Sequence, residues 1–133
     1  MNNTITFKKN NHNTLHINLI SDSKMNIPRY IHKRILNKKI NHEDNKFDAV
    51  MCVGTFTYAH VKPHALDEFI RITKKNGLIC FTINVGVFKD YGFDKKINDL
   101  IDNNKWDKLE FFKSNYLSSK DVNAWLGIYK VTK

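Results

Sequence analysis

No glycine occurs before Gly54. The five glycines of this 133-residue chain stand at 54, 77, 86, 92 and 127. The first 53 residues therefore hold no glycine-rich turn, the device that lets a backbone close on a ligand. Cysteine is as scarce: Cys52 and Cys80 lie in separate apolar runs without CxxC spacing, which reads as buried reduced thiols rather than as a disulfide or metal pair. No apolar run approaches the roughly 18 residues that cross a bilayer, and the opening MNNTITFKKNNHN lacks the apolar stretch of a secretory signal. The expectation is a cytoplasmic protein with no membrane partner. Arginine is nearly missing too. Three of the 22 basic residues are Arg while 17 residues are Asn, so the net charge of +9 reflects a Lys and Asn bias spread over every segment. That pattern argues against a phosphate-reading surface, and nucleic acid is not an expected partner.

What is present suits one domain over residues 1–133. Thr4 to Phe7 and Thr14 to Ile20 alternate like short strands. Tyr30 to Leu36 is a further strand candidate, with a helix over 27–36 as its rival because Ile27, Ile31 and Ile35 are four apart. Phe47 to Gly54 is an almost continuous apolar run, the pattern of a strand covered on both faces. Pro63 then suits the first turn of a helix, in which Leu66, Phe69, Ile70 and Thr73 share a face and Asp67 can pair with Arg71. Gly77 is the expected left-handed stop, and Leu78 to Asn84 the next buried strand. Asp94 is a candidate N-cap for a second helix with Ile97, Leu100, Ile101 and Asn104 on its inner line, stopped by Asn103 and Asn104. Lys108 to Tyr116 and Ala124 to Thr132 come last, joined by a loop so short that they must be antiparallel. Trp106, Phe111, Phe112, Trp125 and Tyr129 read as packing of this hairpin rather than as a base-stacking surface. The class is α/β, a sheet parallel in its middle and closed by an antiparallel hairpin.

Such a sheet resembles the carboxyl half of a class I S-adenosylmethionine-dependent methyltransferase, a partial Rossmann-like fold. FDAVMCVGTFTYAHVKPHALDEFIRITKKNG resembles the fourth strand, loop and fourth helix of the methyltransferase-like protein 27 family, from the Williams-Beuren region. FTINVGVFKDYGF, NNKW and WLGIYKV continue the pattern. The resemblance covers about residues 43–133, with 1–42 poorly matched, so the domain reads as truncated or degenerate at its amino end.

That resemblance implies S-adenosylmethionine as cofactor and an unidentified small-molecule or protein methyl acceptor as partner. It places Gly54, Thr55 and Phe56 beside the cofactor. Thr57 and His60 fall at the acceptor, with Asn84, Gly86 and Tyr91 either at its rim or simply turning the chain. NLISDSKM resembles the second strand with its Asp-x-Ser turn, which makes Asp22 the ribose candidate, beside a plain reading in which Asp22 caps a turn. Ile35 stands where the family's adenine-binding Asp would be and cannot accept that hydrogen bond. His60 reads either as a general base or as a surface or capping residue; His60 and His64 share a helical spacing without a third ligand, so no metal is expected. No catalytic residue is assigned. The alternative to an enzyme is a degenerate, catalytically inactive fragment or binding module lacking the glycine-rich cofactor motif. In either case Thr14 to Ile20 is expected to fill in part the sheet position beside Phe47 to Gly54.

Overall fold

A computed structural model describes residues 5–9, 13–18, 39–57, 61–117 and 122–133, with side chains described over 39–57, 61–115 and 123–133. Its strands are β1 (Ile5–Lys9), β2 (Asn13–Asn18), β3 (Phe47–Phe56), β4 (Thr73–Asn84), β5 (Trp106–Leu117) and β6 (Val122–Val131). They form one sheet in the order β1-β2-β3-β4-β6-β5. The middle three, β2, β3 and β4, are parallel; β1 lies antiparallel at one edge and the β5–β6 hairpin closes the other. This is the α/β sheet expected from the sequence. β2 sits directly against β3, Leu15 opposite Val50 and Ile17 opposite Cys52, which is the position expected for Thr14 to Ile20. Residues 19 and 20, and the strand or helix candidates over 27–36, lie outside the described residues.

Among the described residues are also three helices, α1 (Ala65–Ile72), α2 (Val85–Asp90) and α3 (Phe93–Asp102). α1 forms because Ala65, Leu66, Phe69, Ile70 and Ile72 gather on one buried face. Pro63 stands in a turn just before it, whose carbonyl accepts the Leu66 amide at 3.0 Å. Asp67 and Glu68 in its first turn and Arg71 in its last complement the helix dipole. The expected Asp67–Arg71 pair does not form: Arg71 turns to Glu68 and Asp44, and Asp67 meets Lys96 of α3 at 2.7 Å. The stop also differs. α1 ends at Thr73, already extended at φ −91° and ψ 136°, whose hydroxyl donates to the Phe69 carbonyl at 2.6 Å. Asn76, at φ 67°, takes the left-handed position. Gly77 is needed for closeness instead, since a Cβ there would stand 2.6 Å from Thr73 Cγ2 and 2.8 Å from the Asp48 carbonyl oxygen.

The core lies between the helices and one face of the sheet. Phe56 touches Phe69 of α1 and Phe93 of α3, the latter with ring centroids 4.8 Å apart. Phe81, Trp106 and Tyr129 stack across β4, β5 and β6, Trp106 and Tyr129 at 4.2 Å. Each such fully buried large side chain contributes on the order of 2–3 kcal/mol from its area alone. Gly127 makes room for the stack: a Cβ on it would meet Phe81 Cζ at 2.8 Å.

Four other expectations are corrected. Gly92, at φ 80°, precedes α3 as its N-cap, so Asp94 lies inside the first turn and accepts from the Lys95 amide. Asn104 is exposed rather than on the inner line, and Phe112 is 46% exposed rather than part of the core. β3 is covered on one face only: Val50 and Cys52 are buried, whereas Met51 is 36% exposed. Among the described residues no helix is long and apolar enough to cross a membrane.

Candidate functional site

In a parallel sheet the backbone leaves each strand at its carboxyl end, and the loops there converge. The ends of β3 and β4 are therefore where chemistry is best placed. Between Cys52, opposite Phe81, and Phe56, opposite Ile83, β3 spends two more residues than β4. Such a bulge bends the strand and re-aims the residues beyond it. Gly54 sits in this bulge at φ 75°, a left-handed conformation that favours glycine. Its amide donates to the Thr82 hydroxyl on β4 at 3.0 Å. Thr82 thus fixes the exit of β3 by replacing a lost backbone partner. Sequence reasoning did not single it out; its one signal is a hydroxyl in the otherwise apolar run LICFTIN.

Thr55 is fully buried and its Oγ1 has no hydrogen-bond partner. A buried hydroxyl left unmatched costs about 1–3 kcal/mol, so this loop carries stored polar capacity. The neighbouring Cys52 thiol is pushed up to about 12 by burial, with the Thr55 hydroxyl close enough to oppose that rise but without hydrogen-bond geometry. Phe56 is a core residue, its ring enclosed by Phe69, Phe81 and Phe93. The residue expected beside the cofactor thus turns its side chain away into the core, and only its backbone belongs to the loop. Thr57 is half-buried, and its amide closes a tight turn on the Thr55 carbonyl at 3.0 Å.

Across the opening, Asn84 ends β4 and caps α2, accepting the Gly86 amide at 2.8 Å through its side chain. Gly86 lies in α2, and Tyr91 succeeds it as the C-cap residue. Lys62 places its ammonium 3.8 Å from the centre of the Tyr91 ring. That cation–π contact ties the chain entering α1 to the chain leaving α2. The structure therefore brings Gly54, Thr55, Thr57, Asn84, Gly86 and Tyr91 to the loops at the ends of two adjacent strands. Asp22 and His60 lie outside the described residues. His64 is exposed at the start of α1 and makes no side-chain cap. Among the described residues no group of three or more His, Cys, Asp or Glu could hold a metal.

A concavity of about 600 Å³ lies at the opposite end of the sheet around Lys39 to Asp44, Lys46 and Arg71. Its centre is already occupied by hydrogen bonds. Arg71 gives Nε and Nη2 to the Glu68 carboxylate, both at 2.8 Å, Nη1 to Asp44 Oδ1 and the His42 carbonyl, and Nη2 to the Ile40 carbonyl. All five guanidinium N–H groups are engaged. Glu68 also accepts the Ile40 amide. Hydrogen bonding to Arg71 holds the Glu68 and Asp44 carboxyls below their usual values and holds Arg71 above its own. This is a clamp that fastens the loop before β3 to α1, with every Arg71 donor spent within it.

The order of strands, the bulged β3 exit and the closing antiparallel hairpin define an open-sheet α/β protein of the Rossmann-like methyltransferase type. Residues 8–81, more than half of the 133-residue chain, match the family described as a methyltransferase domain, and the protein belongs to that family. No curated protein matches the sequence. Among solved structures the fold is similar to that of the N-methyltransferase NodS from Bradyrhizobium japonicum WM9, with TM-score 0.51 and 14% identity over 74% of this chain and 57% of that one. NodS in complex with S-adenosyl-L-homocysteine gives TM-score 0.50 and 13% identity over 74% and 52%. A protein of Bacillus halodurans C-125 assigned as a methyltransferase gives TM-score 0.51 and 9% identity over 74% and 69%. The chain thus spans little more than half the length of NodS.

Proposed function

We propose that this chain is an S-adenosylmethionine-dependent methyltransferase of the group resembling methyltransferase-like protein 27, acting in the cytoplasm on a small-molecule or protein acceptor. The observation that carries the reading is the β3 exit. A bulge, a left-handed Gly54 and an unmatched buried hydroxyl at Thr55 stand together at the carboxyl end of a parallel strand, the place where this class of sheet takes its ligand. Membership of the methyltransferase domain family supports it. S-adenosylmethionine would supply a methyl group already activated as a sulfonium. The protein's part is then positioning, since holding two reactants in line can contribute several kcal/mol without strong acid or base help. Gly54 lets a ligand approach the backbone, with Thr55 and the backbone of Phe56 beside it. Thr57, His60, Asn84, Gly86 and Tyr91 line the acceptor side, and Asp22 is the group for ribose hydroxyls.

A second reading has its own observation. The first 53 residues lack glycine, so close backbone approach on the β2 side has no glycine to allow it, and a degenerate module without cofactor is the alternative. Calorimetric titration of the purified chain with S-adenosylmethionine separates the two. Saturable binding in the micromolar range is the expected result. No heat at millimolar ligand would overturn the enzyme reading and leave the module.

A further inference from the structure

A strand alternates its side chains between faces, so register assigns each residue to a side of the sheet. The helices cover the side of Val50, Cys52, Ile79, Phe81, Tyr129 and Val131, all buried. Ile40, in the segment entering β3, lies on that same side, fastened to Glu68 and Arg71 of α1. Among the described residues no helix covers the other side, which is largely apolar and partly exposed. One row across the strands is Ala49, Leu78, Lys130 and Asp107; the next is Met51, Cys80, Ile128 and Glu110; the third holds Thr82, Leu126 and Phe112. Met51, Leu78 and Phe112 are 36%, 41% and 46% exposed. A parallel sheet is stable when both faces are covered, and a contiguous apolar face of this kind marks an interface.

We propose that this face is the contact between two copies of the chain, packed sheet on sheet. The charges on it favour a copy of itself over another partner. The chain carries +9 overall, yet these rows hold two acids, Asp107 and Glu110, and one base, Lys130. No ion pair with a described residue engages Glu110 or Lys130. Strands lie about 4.8 Å apart and same-side residues about 6.8 Å apart along a strand. On that grid a two-fold axis lying in the interface, diagonally over Cys80 and Ile128, brings Lys130 of one copy over Glu110 of the other. The same axis brings Leu78 over Phe112 and Leu126. One operation thus forms two Lys130–Glu110 pairs and joins the exposed apolar side chains, as an isologous contact requires, with the two Asp107 carboxylates facing each other at the exposed rim.

Sedimentation velocity of the full chain, from about 5 to about 200 µM, tests this in the range expected of a modest interface. The expected result is a reversible monomer–dimer equilibrium. Leu78→Glu with Phe112→Glu should weaken it at least about tenfold, an ordinary cost for losing central apolar contacts. Both residues are exposed in the single chain, so the fold should persist. Lys130→Glu should also weaken dimerisation, and adding Glu110→Lys should restore it. A chain that stays monomeric throughout, a dimer indifferent to the face variants, or a charge swap that fails to restore association would each overturn the proposal.

Discussion

Arg71 shows how one side chain can hold a loop that has no regular structure. Its acceptors come from residues 40, 42, 44 and 68, so the clamp joins segments nearly thirty residues apart. A planar guanidinium reaches all of them at once, and an ammonium cannot. Arg71→Lys is expected to lower stability by about 1–2 kcal/mol and Arg71→Ala by about 2–4 kcal/mol, because Glu68 would be left half-buried and unpaired. Urea unfolding monitored by tryptophan fluorescence measures both. The clamp also sets a pH dependence. Glu68 and Asp44 titrate below their ordinary values of 4.5 and 3.8, chiefly through hydrogen bonds to Arg71. His42 titrates below 6.5, through burial first and then the charges of Lys46 and Arg71. In each case the unfolded chain binds protons more readily than the folded one. The contribution is therefore complete above the unfolded value and is lost as pH falls through the folded one. Stability should decline as pH falls below 6.5 and more steeply below 4.5, and Arg71→Ala should flatten the lower part. An unchanged acid profile in that variant would contradict the assignment.

At the scale of elements, the joint between α1 and β4 is made by crowding rather than by a glycine turn. Gly77→Ala should cost about 2–3 kcal/mol, since the added methyl meets Thr73 Cγ2 and two backbone carbonyls that cannot move freely; thermal unfolding of the variant checks this. At the other end of the sheet, Thr82→Val removes the acceptor of the Gly54 amide. Hydrogen exchange at Gly54 should speed up at least about tenfold while exchange in β6 stays unchanged, and equal protection in the variant would show that the bulge is held otherwise. The two joints explain how far the sequence could be read. α1 and β4 were legible because their burial follows periods of 3.6 and 2 within a few residues. The Asn76 turn was missed because a neighbouring glycine offered the simpler stop. α2 was missed because VGVFKD is too short to show a period and rests on the Asn84 cap. The loop residues of the candidate site were legible from their place after apolar strands. Thr82 was not, for its role depends on a register shift that only the paired strands reveal. The open face of β3 escaped notice for the same reason: an apolar run looks alike whether one face is covered or two.

For the molecule as a whole, the candidate site draws on separate elements of a single sheet, the exit of β3 and the turn from β4 into α2. A ligand bridging them would add restraint to loops that Gly54–Thr82 and Lys62–Tyr91 help to hold. In a small domain that unfolds as one unit, binding confined to the native state raises global stability by mass action. At a hundredfold excess over its dissociation constant, S-adenosyl-L-homocysteine should add about 2.7 kcal/mol, which for a chain of this size raises the melting temperature by about 8–10 °C. Methionine or adenosine alone, each lacking half of the bridge, should give much smaller shifts. Gly54→Val should abolish the shift, because a branched side chain resists φ 75° and fills the space a ligand needs, whereas Gly92→Ala, at a left-handed position with open space around it, should lower the melting temperature but keep the ligand-induced rise. Differential scanning fluorimetry over a ligand series reads all four. A rise that survives Gly54→Val would move the binding site away from the β3 exit, and a wild-type chain indifferent to the ligand would remove the cofactor from this protein altogether.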